Sequence, residues 1–257
     1  MLGRLRSLAR RVLGVTREST YYLPWLTRPG LECVVLVNNI ESRFTSGRGA
    51  TATDLGATVT QYDAGGGVVG VYTTALSDSA DAREVRLTPT AAGHGFVTVR
   101  TRRIHSDLYV ALVDGESYSA THGRQEFIEH YPPWTRAALA IAGGAVATAG
   151  GTVPLFARDQ YVYHGPDSRS HVLIFNLSNV VNRIRVVATR DGTRTGTRLL
   201  RLPPMGSALL DIATLGPPAE HLVVERLRLT GNAWFNLYLV GAGARDLDGA
   251  LSLMHVK

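Results

Sequence analysis

Polar and apolar residues alternate with a period of two through much of this 257-residue chain. Residues 183–186 read RIRV and 226–229 read RLRL, so one side chain enters a core while the next meets water. Thr, Val and Leu dominate such stretches, and these residues suit a pleated, half-buried surface. Turn signals fall between the stretches. Asp63-Ala64-Gly65 and Asp191-Gly192 supply the positive φ that tight hairpins require. No strand–helix–strand rhythm interrupts them. The pattern predicts an all-β protein built from short strands in sandwiches.

The pattern is also written twice. An apolar strand, 33–39 (CVVLVNN), is followed by a hairpin over 57–76, a strand at 83–89 and a strand pair over 95–115. A second series repeats this order: 171–177 (HVLIFNL), a hairpin over 182–204 and a strand pair over 221–243. Each closes with an apolar strand containing Leu-Tyr. The expectation is two tandem antiparallel β-sandwich domains, 18–125 and 161–257, joined by a linker over 126–160.

In the second copy the hairpin turns at Asp-Gly and leads into RLPPMGSALLDI: a strand ending in prolines, then Gly-Ser, two apolar residues and Asp. Residues 171–212 thereby resemble bacterial immunoglobulin-like and fibronectin-like β-sandwich modules. That resemblance implies a fold and carries no function.

The first seventeen residues break the strand pattern. At about 100° per residue, Met1, Leu2, Leu5, Leu8, Ala9, Val12, Leu13, Val15 and Thr16 share an arc of roughly 160°. Arg4, Arg6, Arg10, Arg11 and Arg17 fall outside it. An N-terminal basic amphipathic helix over 1–17 is expected. It is too short and too charged to span a bilayer but suited to its surface. The proposed contacts with membrane or partner are Leu2, Arg4, Leu5, Arg6, Leu8, Arg10, Arg11, Val12 and Leu13.

Two further segments stand out. Tyr22-Leu23-Pro24-Trp25 before the first copy echoes Tyr131-Pro132-Pro133-Trp134 before the second. Each combines a proline-fixed extended backbone with amphipathic rings, so Tyr22, Trp25, Tyr131 and Trp134 are candidate docking residues or an edge-covering lead-in. After the second comes 137–157 (AALAIAGGAVATAGGTVPLFA), which carries no charge over nearly the length of a membrane span. Its four glycines, its proline and its scarcity of large apolar residues favour a buried strand pair or a packed loop over a transmembrane helix.

Charge narrows the function classes. The chain holds 27 basic and 21 acidic residues, a net charge of +6. Five of the arginines lie in residues 1–17, leaving 22 basic against 21 acidic in a nearly neutral body. A nucleic-acid binder carries its basic excess on the folded body, so nucleic acid is not an expected partner. The single cysteine, Cys33, excludes an intrachain disulfide framework and reads as a small core side chain. Arginines interrupt the apolar residues of the N-terminal segment, unlike a secretory signal.

Signatures of catalysis are absent from the sequence. It contains no GxxxxGK[ST] phosphate loop, no G-x-S-x-G and no H-E-x-x-H. His164 and His171, with Tyr163 and Asp167 nearby, are the best metal candidates, set against two unrelated histidines on an exposed loop. QEFIEH (125–130) reads as an amphipathic turn with Phe127 and Ile128 inward, or as a patch of Glu126, Glu129 and His130. Trp234 alternates with Asn232 and Asn236, which points either to a carbohydrate platform or to an inner aromatic of the sandwich.

The sequence thus predicts a non-enzymatic structural subunit without a cofactor or small-molecule substrate. It would sit peripherally on the cytoplasmic side of a membrane and brace a larger membrane protein complex of photosynthetic, respiratory or secretion type. The alternatives are a carbohydrate- or polymer-binding module and an enzyme whose site is assembled from loops.

Overall fold

The computed structural model describes residues 12, 14–38, 55–76, 82–91, 93–101, 108–115, 117–148, 151–243 and 251–255. Strands β1 (Thr16–Leu26), β2 (Leu31–Asn38), β3 (Leu55–Asp63), β4 (Val68–Leu76) and β5 (Ala82–Arg86) open the fold. They are followed by β6 (His94–Thr101), β7 (Leu108–Asp114), β8 (Ser117–His122) and β9 (Arg124–His130). After helix α1 (Pro133–Thr148) come β10 (Phe156–His164), β11 (Ser168–Asn176), β12 (Asn182–Arg190) and β13 (Thr193–Leu202). The last strands are β14 (Ser207–Asp211), β15 (Val223–Gly231), β16 (Phe235–Gly243) and β17 (Ser252–His255).

The described residues are mostly strand, in four antiparallel sheets that pair as two sandwiches. The first sandwich has sheets β4-β3-β6-β1-β9 and β5-β2-β7-β8; the second has β13-β12-β15-β10 and β14-β11-β16-β17. Strand order in the second matches the first position for position, with β9 as an addition at one edge. The two copies visible in the sequence are therefore topological copies. The order is not the immunoglobulin one, in which the first strand joins the sheet of the second. Here the first strand of each copy pairs with the sixth, β1 with β6 and β10 with β15.

Segments predicted with other structures need correction. QEFIEH is strand, not a turn: β9 pairs with β1, burying Ile128 and Glu129 while Phe127 stays 40% exposed. Thr16 and Arg17 belong to β1, so strand begins inside the segment expected as helix. Of the rest of that expectation, Val12 is helical, and residues 1–11 and 13 lie outside the described residues. The 137–157 stretch is mostly helix. The two Tyr-Pro-Trp segments are not equivalent: the first lies in β1, whose topological counterpart is β10, and the second leads into α1.

The two sandwiches share a core. Val172 and Ile174 of β11 face the second sandwich, whereas Leu173 and Phe175 join the core of the first. Leu237 and Leu239 of β16 divide from Tyr238 and Val240 in the same way. The junction is aromatic. Phe175 lies 5.7 Å from Tyr22, 5.2 Å from Phe96 and 6.0 Å from Tyr238, centroid to centroid. Burial pushes the Tyr22 hydroxyl well above its ordinary pKa, with help from nearby Tyr238. The Tyr238 hydroxyl donates to the His122 carbonyl across the junction at 3.2 Å. Further in, Trp25 donates to the Tyr62 carbonyl at 2.9 Å. It can lie flat there because residue 95 is glycine; a Cβ would run into the Tyr62 carbonyl and the indole. Cys33 is buried in the same core, and burial raises its thiol to about 12.

Candidate functional site

The N-terminal segment enters the body through a short, fixed joint. Gly14 adopts φ +62° beside the Pro132 ring and Trp134, and β1 starts two residues later as an interior strand between β6 and β9. Arg17 is held there. Its Nε and Nη2 donate to Glu129 Oε1 at 3.1 and 2.8 Å, and Tyr131 Oη donates to Glu129 Oε2 at 2.7 Å. The guanidinium also lies 4.9 Å from the Phe127 ring centroid and 5.6 Å from that of Trp234. Glu129 is fully buried, and both of its oxygens are partnered, as burial of such a polar group requires.

The joint continues into the second sandwich. Tyr131 N–H donates to Asn179 Oδ1 at 2.8 Å, and Asn179 Nδ2 returns a bond to the Tyr131 carbonyl at 3.1 Å. Tyr131, Val180 and Ala233 form a small core with Val15 and Leu139 against it. Segment, helix and both sandwiches thus meet at one point.

Helix α1 starts with Pro133, whose fixed φ and missing N–H suit a first helical position, and continues through alanines. Thr135, Leu139 and Gly143 turn inward, one turn apart. Gly143 lets the helix approach Arg183. The opposite face is Trp134, Ala137, Ala138, Ile141 and Ala145, all exposed. Trp134 is 56% exposed and Ile141 75%. A helix over a sandwich ordinarily turns charged residues outward; this one has Arg136 as its single charge. A groove of about 470 Å³ runs beside it, with Ala137, Leu139 and Ala140 on one wall and Val180, Val181 and Pro204 on the other. No helix among the described residues is long and apolar enough to cross a membrane.

The other candidates fall elsewhere. Of the four docking aromatics, Tyr22, Trp25 and Tyr131 are buried, leaving Trp134 at the surface. His164 is not on an exposed loop: it closes β10, is buried, and places Nε2 3.6 Å from Glu225 Oε1, which also pairs with Arg190 at 2.9 Å. His171 lies in β11 opposite Asp211 and Val240. Among the described residues no group of three His, Cys, Asp or Glu side chains is arranged to hold a metal. Trp234 is not on a platform with its asparagines. It packs between Arg158 at 4.9 Å and Phe156 at 5.4 Å, while Asn232 and Asn236 are buried. Asn232 Oδ1 accepts from Arg183 N–H at 2.6 Å, and Asn236 Nδ2 donates to Glu126 at 3.1 Å. A second groove, about 380 Å³, is polar and includes Glu18 and Thr58. Its carboxylate is taken up by Arg100 at 2.7 Å and His130 at 3.5 Å.

The burial of two carboxylates, Glu129 and Glu225, was not read from the sequence. Glu225 was legible: in VVERLRL it shares parity with Leu227 and Leu229, so it points inward with them. Glu129 was not, because β9 buries adjacent residues against two neighbours at once. No family model matches the chain, and no curated protein is similar to it in sequence.

Proposed function

We propose that the chain is a non-enzymatic structural subunit, held peripherally on the cytoplasmic side of a membrane by its N-terminal segment and bracing a larger membrane protein complex. The joint at Gly14–Arg17 carries this reading. A segment holding four of the chain's arginines and no acid, residues 1–13, runs without a spacer into an interior strand of a two-sandwich body. Such a mounting transmits position, as a brace must, whereas a flexible linker would let the body swing. The body supports the same reading: the shared aromatic core suits a rigid spacer, and its buried ionic groups are engaged in pairing.

Native gel electrophoresis of mildly solubilised native membranes tests the proposal. The chain is expected to migrate within an assembly far larger than itself, and to leave the membrane fraction in high salt without detergent. Recovery as a free species in the soluble fraction would overturn it.

One observation favours the second reading, a carbohydrate- or polymer-binding module. Tyr161 and Tyr163 stand exposed two residues apart on edge strand β10, a spacing that puts both on one face. Binding to a glycan array by the isolated protein, lost in Tyr161→Ala, would select that reading.

A further inference from the structure

We infer that the outward face of α1 is a second membrane contact, lying in the surface of an anionic bilayer beside the N-terminal segment. The inference rests on the membrane attachment proposed above and assigns it a surface on the folded body.

Three observations carry it. First, the face is apolar where a soluble helix is polar: Trp134, Ala138, Ile141 and Ala145 point out, and no acidic residue occurs between His130 and Asp159. An indole at one end and aliphatic side chains along the face suit the boundary between headgroups and acyl chains. Second, the chain joins the body beside this helix, since Gly14 lies against Pro132 and Trp134. Arg4, Arg6, Arg10 and Arg11 precede that joint in sequence, and Arg136 adds its charge within the first turn of α1. An apolar face with basic and no acidic neighbours in sequence is complementary to anionic headgroups, each such cation contributing about 1 kcal/mol near the surface. Third, Val12 on the apolar arc of the segment stands 71% exposed, while Val15, nearer the joint, packs against the body. Two contacts meeting at one joint both constrain the body's orientation to the bilayer.

A fluorescent probe tests this in the full chain. Ile141→Cys is labelled with an environment-sensitive dye; buried Cys33 stays unlabelled in the folded protein. Tyr118→Cys, exposed on β8, is the control position. With phosphatidylcholine vesicles containing phosphatidylglycerol, the probe at 141 is expected to brighten several-fold and shift to the blue, and the probe at 118 to stay unchanged. Ala138→Asp with Ile141→Asp is expected to weaken vesicle partitioning about tenfold, since a charged residue replaces a buried aliphatic one. Leu5→Asp with Leu8→Asp runs in parallel. If that pair abolishes binding while the helix pair binds like wild type and the probe at 141 stays unmoved, the helix inference is overturned and the tether stands. If the Leu5 and Leu8 pair changes nothing while the probe at 141 shifts, the tether reading fails and the helix contact is supported. A shift on native membranes but not on protein-free vesicles would assign the face to a membrane protein and overturn the lipid contact.

Discussion

Replacing Phe175 with alanine is expected to lower the unfolding free energy by about 3–5 kcal/mol and to move a single thermal transition for the whole body. The ring is fully buried and touches Tyr22 and Phe96 of the first sandwich and Tyr238 of the second. Truncation leaves a cavity bordered by both, so neither can close it by relaxing alone. Were the sandwiches independent beads, each would melt separately and the substitution would move one transition only. Calorimetry of wild type and variant decides this: one transition shifted as a unit supports the shared core, and two transitions of which one moves would contradict it.

The second large effect is at Gly66. Its φ of +82° makes any side chain costly, and a Cβ there would run into the Pro204 carbonyl of the other sandwich. The neighbouring Ala64 carbonyl accepts from Ser207 N–H at 3.0 Å, so this hairpin is docked against the β13–β14 corner. Gly66→Ala is expected to cost at least about 2 kcal/mol, from left-handed strain and displacement of a backbone contact together. Gly192→Ala supplies the comparison: φ is +78°, yet nothing lies within 4 Å of its would-be Cβ. It is expected to cost only the strain, about 1 kcal/mol. Chemical denaturation of the two variants reads the difference, which is the contribution of docking. Equal losses would mean that the hairpin contact adds nothing.

These two sites mark how far the sequence could be read. Alternation in RIRV and RLRL, turn residues such as Asp191-Gly192, and the repeated order of segments specify strands and hairpins locally, and the duplicated topology follows from them. The joining of the sandwiches is tertiary. A two-faced burial hides in VLIF (172–175) and LYLV (237–240), which are continuously apolar where a half-wet strand would alternate. That signal separates doubly covered strands from ordinary ones but does not say what covers them. Helix α1 was illegible for the opposite reason. Both of its faces are apolar or small, so the 3.6-residue periodicity that reveals a surface helix is absent. Of the candidate site, the exposed Trp134 was legible; the Arg17–Glu129–Tyr131 lock was not, since β9 had to pair with β1 before those residues could meet.

The central claim is that the body is mounted on a membrane through the segment ahead of the joint. The cut that tests it falls after Leu13, because Arg17 belongs to the lock with Glu129 and its removal would damage the body. The measurement is the partition of residues 14–257 against the full chain between the membrane and soluble fractions of the native cell, with the melting temperature of each recorded. The account predicts equal melting temperatures, the full chain with the membranes and the shortened chain largely released. A shortened chain that stays folded and sediments at the wild-type level would contradict it.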